Sequence, residues 1–261
     1  MTTGLAGSEH GIDALVPAEI ARKAEHVGAL KARMDWQRLA ILAVLAGAFI
    51  GLGAMFATTV LAGTSGAVPF GISRLLAGTV FCLGLILVVL GGAELFTGNT
   101  LMVMALASGK LRLAEMLRAW AIVYAGNFVG AIGMAALVYL AGQHRFGDGS
   151  VAAVALRIGV DKTTLPLSDA FFLGILCNVL VCLAVWLSLG ARTTTDKVLA
   201  VLFPVSAFVV AGFEHSVANM YLIPQGWLAG APVGAGGFLH NLFFVTLRNI
   251  VGGAGGVALG H

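Results

Sequence analysis

The residues best suited to chemistry in this 261-residue chain lie in two similar short stretches. The first reads Gly-Ala-Glu-Leu-Phe-Thr-Gly-Asn over 92–99, and the second reads Gly-Phe-Glu-His-Ser-Val-Ala-Asn over 212–219. Glycine, glutamate and asparagine recur at the same internal spacing, with Glu94 and Glu214 separated by 120 residues (214 − 94). Each stretch interrupts a long apolar run. Because ionisable groups inside apolar membrane segments are costly, both stretches are candidates for a functional site.

His215 is the only histidine deep inside an apolar run. An imidazole donates a hydrogen bond, carries a proton and changes charge near neutral pH. Such a group can bind a small anion, or protonate it so that it crosses as a neutral acid. Thr97 offers a hydroxyl at the first stretch as a hydrogen-bond partner for a substrate. The alternatives are a histidine whose ring is satisfied by a neighbouring carbonyl and a threonine that caps a helix.

Glu94 and Glu214 are interpreted as structural acids. A carboxylate that lined an anion pathway would repel its cargo. A carboxylate can instead accept hydrogen bonds from the backbone N–H groups that a broken helix frees.

Five further residues are weaker candidates. Phe81 and Leu85 are four residues apart, so they share a helical face and form either a hydrophobic constriction or ordinary core packing. Asn178 and Asn249 offer amide donors to a substrate, or bridge helices. Lys162, in a predicted loop, attracts anions or is simply solvated.

Composition indicates a polytopic membrane protein. The chain is 59% hydrophobic and only 10% charged, against roughly 25% charge in an average soluble domain. A formal charge of +3 is too small to argue for a nucleic-acid partner. The three cysteines all lie in apolar runs and are typical of small core residues, so we expect neither a disulfide framework, a metal site nor another cofactor.

The apolar runs predict an all-α domain of six membrane spans over 38–261, preceded by a cytoplasmic segment, 1–37, with a short helix from near Pro17. The predicted spans are 38–61, 73–106, 118–141, 168–189, 198–223 and about 237 to the end. The second and fifth spans contain the two polar stretches, which are predicted to interrupt them. In lipid such a break is tolerated only where it is buried in protein or faces a watery cavity. Two small-residue packing spots are the alternative.

A second pair of matching motifs supports an internal repeat. Asn-Phe-Val-Gly at 127–130 resembles Asn-Ile-Val-Gly at 249–252, 122 residues later. The first repeat then covers 38–141 and the second covers 168–261. Three spans per repeat invert the second repeat relative to the first, as in many transporters and channels. Ten lysines and arginines on the amino-terminal side, against four on the other, place both termini in the cytoplasm.

Three other classes remain open from the residues alone. A neutral-solute channel is disfavoured because the Asn-Pro-Ala motifs of water channels are absent. A membrane enzyme is disfavoured because one deep histidine is poor provision for haem, and we expect no enzymatic activity. A structural scaffold does not explain two matched helix breaks.

Several stretches together resemble the formate–nitrite transporter family. They are Phe-Cys-Leu-Gly-Leu-Ile-Leu at 81–87, Gly-Ala-Glu-Leu-Phe-Thr at 92–97, Gly-Ile-Leu-Cys-Asn at 174–178, Gly-Phe-Glu-His-Ser-Val-Ala-Asn-Met at 212–220 and Thr-Leu-Arg-Asn-Ile-Val-Gly-Gly at 246–253. The resemblance runs from about Pro17 to the end. It implies an aquaporin-like six-span protomer in a homopentamer of the bacterial inner membrane. Each protomer would have its own pore for small monovalent anions, working in both directions and depending on pH, with possible coupling to protons.

The resemblance also implies roles for particular residues. His215 would be the central substrate-facing histidine, and Thr97 its partner in the loop that interrupts the second helix. Asn178 and Asn249 would be polar groups that line the pore. Lys162 would be a charge in the outer vestibule.

Constrictions and substrate follow from the same resemblance. Phe81 and Leu85 would narrow the cytoplasmic side, and Phe208 the periplasmic side. Val-Pro-Phe-Gly at 68–71 resembles the formate branch, whereas Thr97-Gly98-Asn99 looks more like the nitrite branch. We expect formate, with nitrite, hydrosulfide or short-chain carboxylates as alternatives.

Arg248 departs from the family pattern, which usually has glycine before that asparagine. A guanidinium there must find a partner or face water. It would add an anion site, obstruct the pore or mark the protomer boundary.

Overall fold

The computed structural model describes residues 13–64 and 66–260, without the side chains of Leu167 and Ser168. The first twelve residues of the predicted segment 1–37 lie outside the described residues. Every regular element in the described part is helical. The α-helices are α1 Pro17–Ala32, α2 Trp36–Thr64, α3 Phe70–Gly91, α4 Phe96–Asn99, α5 Met102–Ala107, α6 Leu113–Leu140, α7 Ser150–Thr164, α8 Leu167–Gly190, α9 Thr194–Val210, α10 Ser216–Leu228 and α11 Ala235–Ile250. A 3₁₀ turn, Gln143–Arg145, and a π-helical stretch, Val251–Ala258, complete the order.

Four of the described helices are long and apolar enough to cross a membrane. These are α2, α3, α6 and the described part of α8, with lengths of 22 to 29 residues. At about 1.5 Å per residue each exceeds the ~30 Å of a bilayer core. Helices α9, α10 and α11 are shorter, at 17, 13 and 16 residues.

Two boundaries differ from the sequence prediction. Helix α6 begins at Leu113 rather than near 118, so that Arg118 lies inside the helix instead of marking its start. Helix α7 occupies most of the predicted polar loop 142–167. Its buried residues recur at helical spacing and are Val151, Val154, Ala155 and Gly159. Lys162 therefore lies on a helix and not in a loop.

Each of the two polar stretches separates one helix from the next by a short non-helical gap. Helix α3 ends at Gly91 and α4 begins at Phe96. Helix α9 ends at Val210 and α10 begins at Ser216. Each gap contains one glycine in the left-handed region, Gly92 with φ 71° and Gly212 with φ 73°. Glycine adopts this conformation without the strain that a Cβ atom would add.

Close helix crossings depend on small residues in both halves of the chain. A Cβ atom on Gly130 of α6 would lie 1.9 Å from the carbonyl oxygen of Val44 in α2. A Cβ atom on Gly252 would lie 2.2 Å from the carbonyl oxygen of Ile175 in α8. These glycines end the two Asn-x-Val-Gly echoes, so the matched motifs make matched backbone contacts, as in membrane helix packing.

The α2–α6 crossing gives the first prediction. Gly130→Ala should destabilise the protein by about 1–3 kcal/mol, since the new methyl group overlaps a backbone carbonyl. Gly133→Ala is the matched control, because nothing lies within 4 Å of a Cβ atom at that position. The readout is the apparent Tm in detergent. Equal Tm values for the two variants would contradict the close crossing.

Candidate functional site

The imidazole of His215 and the hydroxyl of Thr97 bring the two helical gaps together. His215 precedes the first residue of α10, and its Nδ1 accepts a hydrogen bond from the backbone N–H of Ala218 at 3.0 Å. Its Nε2 lies 2.9 Å from Oγ1 of Thr97 in α4. Both residues are buried, at 3% and 0% exposure. The two candidates singled out from the sequence are therefore in direct contact.

The contact to Ala218 fixes the protonation pattern of the neutral imidazole. Since Nδ1 accepts a hydrogen bond, the proton of the neutral ring resides on Nε2. Nε2–H then donates to Oγ1 of Thr97. The hydroxyl proton of Thr97 is left to be donated elsewhere, so the pair presents a hydroxyl donor to an acceptor such as an anion.

Aromatic rings enclose the imidazole on one side. The ring of Phe208 stacks on His215 with centroids 5.8 Å apart and planes 13° apart. Phe81 meets Phe208 edge to face at 5.6 Å. Phe81 thus contacts Phe208, whereas the resemblance implies that it shares a constriction with Leu85. The reason is that α3 packs beside α9, which puts Phe81 against Phe208, while Leu85 lies one turn further along α3.

Two cavities flank the Thr97–His215 pair. The Lys162 cavity, of about 270 Å³, is lined by Lys162, Arg74, Asp161, Phe81, Phe208 and His215, among others. The Lys31 cavity, of about 260 Å³, is lined by Lys23, Lys31, Lys197, Leu85, Glu94 and Asn99, among others. Basic side chains line each cavity.

Charge accumulates at the Lys31 cavity. Burial lowers the pKa of Lys23 from its ordinary value, and the nearby positive charges of Lys197 and Arg192 lower this pKa further. The ammonium of Lys23 donates to the carbonyl oxygen of Leu189 at 2.7 Å. These basic groups repel one another, which indicates a positive potential that favours anions.

The two buried glutamates are held by lysines. Glu94 lies 3.1 Å from Nζ of Lys31, and Glu214 lies 2.8 Å from Nζ of Lys162. Each carboxylate also accepts from the amide of the asparagine five residues later, at 2.9 Å and 2.7 Å. We expected freed backbone N–H groups as their partners, and this was wrong. The lysines reach the carboxylates from separate helices, α1 and α7.

Two asparagines instead bind the backbone at the helical gaps. Asn127 accepts from the N–H of Phe96 at 2.8 Å and donates to the carbonyl oxygens of Ala43 and Glu94 at 2.7 and 2.9 Å. Asn249 repeats the arrangement. It accepts from the N–H of Ser216 at 2.9 Å and donates to the carbonyl oxygens of Gly174 and Glu214 at 2.8 and 2.9 Å.

Asn178 also forms hydrogen bonds with the backbone. Its amide donates to the carbonyl oxygens of Asn249 and Thr97, at 2.6 and 3.3 Å, and to Oγ1 of Thr100 at 3.1 Å. Asn178 and Asn249 are fully buried, and neither is among the residues that line the two cavities. Their amide nitrogens donate to backbone carbonyl groups, whereas Oδ1 of Asn178 has no hydrogen-bond partner among the described residues. The expectation that they line the pore stays a prediction.

Three further residues at this site, Lys31, Asn127 and Arg74, were not among the candidates from the sequence. The sequence around Lys31 does not indicate its role, because its partner Glu94 lies 63 residues away (94 − 31) in another element. Asn127 could have been found, because its Asn-x-Val-Gly motif matches the motif of Asn249. Arg74 lines the Lys162 cavity and donates to the carbonyl oxygen of Val209 at 2.8 Å.

No group of three or more metal-binding side chains occurs among the residues that the structure describes.

The Lys162–Glu214 pair gives the second prediction. Lys162→Met should cost about 3–5 kcal/mol, because it leaves a buried carboxylate without its cation. Lys162→Met combined with Glu214→Gln should cost clearly less than the two single changes added together. Lys110→Met is the control, since the Lys110–Glu25 pair is more exposed and such pairs contribute about 0–1 kcal/mol. Thermal unfolding in detergent provides the readout; strictly additive costs would refute the pairing.

Sequence comparison identifies relatives over nearly the whole chain. The family profile described as formate/nitrite transporter matches residues 18–261. The formate channel FocA of Haemophilus influenzae is 38% identical over 260 residues, which cover 92% of this chain and 91% of that protein. FocA of Escherichia coli K12 is 38% identical over 268 residues, with 94% and 93% covered. The nitrite transporter NirC of Salmonella typhimurium is 33% identical over 231 residues, with 85% and 81% covered.

Solved structures are similar as well. A structure described as a pentameric formate channel with formate bound superposes with a TM-score of 0.80 at 38% identity, covering 86% of this chain and 95% of that one. A structure described as an ion channel of the same family gives a TM-score of 0.84 at 32% identity, covering 93% and 97%. The resemblance drawn from the short motifs is thus confirmed over the whole fold, and the chain belongs to the formate/nitrite transporter family.

Proposed function

We propose that this protein is a membrane channel for small monovalent anions and that formate is its principal substrate. The observation that carries the proposal is the buried Thr97–His215 hydrogen bond between two cavities that both contain lysines. The relatives named as formate channels, and the formate-bound structure, support formate. Nitrite is the second candidate because NirC is also a relative. Hydrosulfide and short-chain carboxylates are further members of the same class.

The proposed path runs from the Lys31 cavity to the Lys162 cavity. Leu85 lines the first cavity and forms the constriction on the cytoplasmic side. Phe81 and Phe208 form the constriction on the periplasmic side. Thr97 and His215 lie between them. Lys31 and Lys162 attract anions towards the two ends, although each is partly neutralised by its glutamate.

The Thr97–His215 pair offsets part of the cost of removing water from the anion. A bare anion in a narrow apolar path is strongly destabilised. The Thr97 hydroxyl, polarised by Nε2–H of His215, donates a hydrogen bond to a carboxylate oxygen of formate. A proton on Nδ1 of His215 would remove the hydrogen bond from Ala218. Proton donation by His215 therefore requires a change at the start of α10, whereas hydrogen bonding does not.

The proposed membrane arrangement has six crossings in two inverted repeats, with an aquaporin-like plan. Helices α3 to α5 form an interrupted second crossing, and α9 with α10 an interrupted fifth. The repeats cover 38–141 and 168–261, after the segment 1–37. This arrangement is supported by the equivalent hydrogen bonds of Asn127 and Asn249 and the equivalent ion pairs of Glu94 and Glu214.

The proposed assembly is a homopentamer with a pore through each protomer. The pentameric relative supports it. We place the protein in the bacterial cytoplasmic membrane with both termini in the cytoplasm, as the distribution of lysine and arginine favours.

Replacement of the histidine is the most direct test of the mechanism. His215→Phe should abolish pH-dependent formate uptake into proteoliposomes, because the donor to Thr97 is lost. His240→Phe is the control, since His240 is exposed at the start of α11. Unchanged uptake and pH response in His215→Phe would refute the role of the imidazole. Osmotic swelling with glycerol or urea would separate an anion channel from a neutral-solute channel.

The constriction gives a further prediction. Phe208→Ala should raise acetate and lactate uptake relative to formate uptake several-fold, because removal of the ring widens the path beside His215. Phe203→Ala is the matched control on the same helix, where the phenylalanine is 73% exposed. An unchanged acetate-to-formate ratio in Phe208→Ala would exclude Phe208 as a constriction.

A further inference from the structure

Arg248 is a buried cation beside the second helical gap. It is only 6% exposed and lies on α11, immediately before Asn249. Its Cζ lies over the ring of Phe171 at 5.7 Å and over the ring of Phe244 at 5.4 Å. Gly174 makes room for it, because a Cβ atom there would lie 2.8 Å from Cβ of Arg248. The packing around the guanidinium is therefore specific.

Within the described part of the chain, Arg248 forms no ion pair, although it interacts electrostatically with Glu214 at longer range. No carboxylate there makes an ion pair with it within 4 Å. Its Nη1 is enclosed without a hydrogen-bond partner among the described residues. The aromatic rings stabilise the cation through their π faces but leave its charge in place.

The two helical gaps therefore differ in charge. At the first gap, Glu94 faces one cation, Lys31. At the second gap, Glu214 is already paired with Lys162. Asn249, the next residue after Arg248, holds the backbone of Glu214 through its amide. Since Arg248 also interacts electrostatically with Glu214, it adds a second positive charge near the gap that carries His215.

Arg248 lies outside the linings of the two cavities. It is not among the residues that line the Lys31 or the Lys162 cavity. Its Cα is also about 20 Å along α11 from Ala235, which is too deep for a guanidinium to reach a lipid phosphate easily. An influence of Arg248 on an anion in the path would therefore be electrostatic rather than by direct contact.

We propose that Arg248 is a specificity-determining residue, whose fixed positive charge favours the anionic form of the substrate at the Thr97–His215 pair. The inference rests on the proposed function. At an effective dielectric constant of about 20, a unit charge alters the occupancy of an anion site several-fold even across a separation on the order of 15 Å. Because the guanidinium is buried, its effect is screened by salt much less than that of a surface charge.

The test compares three variants with the wild-type protein in proteoliposomes. Arg248→Gln should lower the initial rate of formate uptake about fivefold at neutral pH and subsaturating formate, to a similar extent in low and high salt. Arg248→Lys, which keeps the charge, should stay within about twofold of the wild-type rate. Arg118→Gln is the surface control, because Arg118 is exposed. The oligomeric state of each variant is measured by light scattering in detergent.

Each outcome decides the matter. A normal rate in Arg248→Gln would overturn the inference. Equal losses in the Gln and Lys variants would also overturn it, since the guanidinium would then act through packing. A loss that accompanies dissociation of the oligomer would assign Arg248 to a protomer contact instead. Absence of formate uptake by the wild-type protein would instead refute the proposed function, and the inference with it.

Discussion

The structure depends on satisfying the backbone where two helices stop inside an apolar bundle. A lipid-facing or core-facing peptide group without a partner costs several kcal/mol. Asn127 and Asn249 solve this problem in the same way. The amide oxygen accepts from the first N–H after the gap, and the amide nitrogen donates to the carbonyl of the glutamate inside the gap. With the backbone satisfied, the helical gaps can hold Thr97 and His215 in fixed positions.

Charge balance is the second constraint. Buried carboxylates are tolerated only with partners, and each gap has one glutamate bound to a lysine and to an asparagine. The lysines come from α1 and α7, two helices that pack beside the main bundle. Since these lysines also line the two cavities, the interaction that stabilises each gap places a basic group at each end of the proposed path. Arg248 breaks this symmetry at the second gap.

Much of this plan can be predicted from the sequence. The Gly–Glu–Asn spacing places both gaps, because glycine in the left-handed conformation and a buried acid are poor choices for an uninterrupted helix. The Asn-x-Val-Gly echo locates both asparagines. Contacts between distant elements could not be predicted, since nothing in the sequence near Lys31 indicates that it binds Glu94. Helix α7 was missed because its charged face outweighed the helical spacing of Val151, Val154 and Gly159. The sequence left open whether Asn249 offers its amide to a substrate or bridges helices, because a residue type does not give the direction of its side chain; the structure adds its hydrogen bonds to Ser216, Gly174 and Glu214.

The central claim is that non-helical backbone at 92–95 and 211–215 brings Thr97 and His215 together inside the membrane. A cryo-electron-microscopy map of the assembly in lipid nanodiscs tests it most directly. The account predicts two interrupted helices near the bilayer midplane, with Nε2 of His215 within hydrogen-bond distance of Oγ1 of Thr97. A continuous helix through either stretch, or a His215 ring that faces lipid, would contradict it.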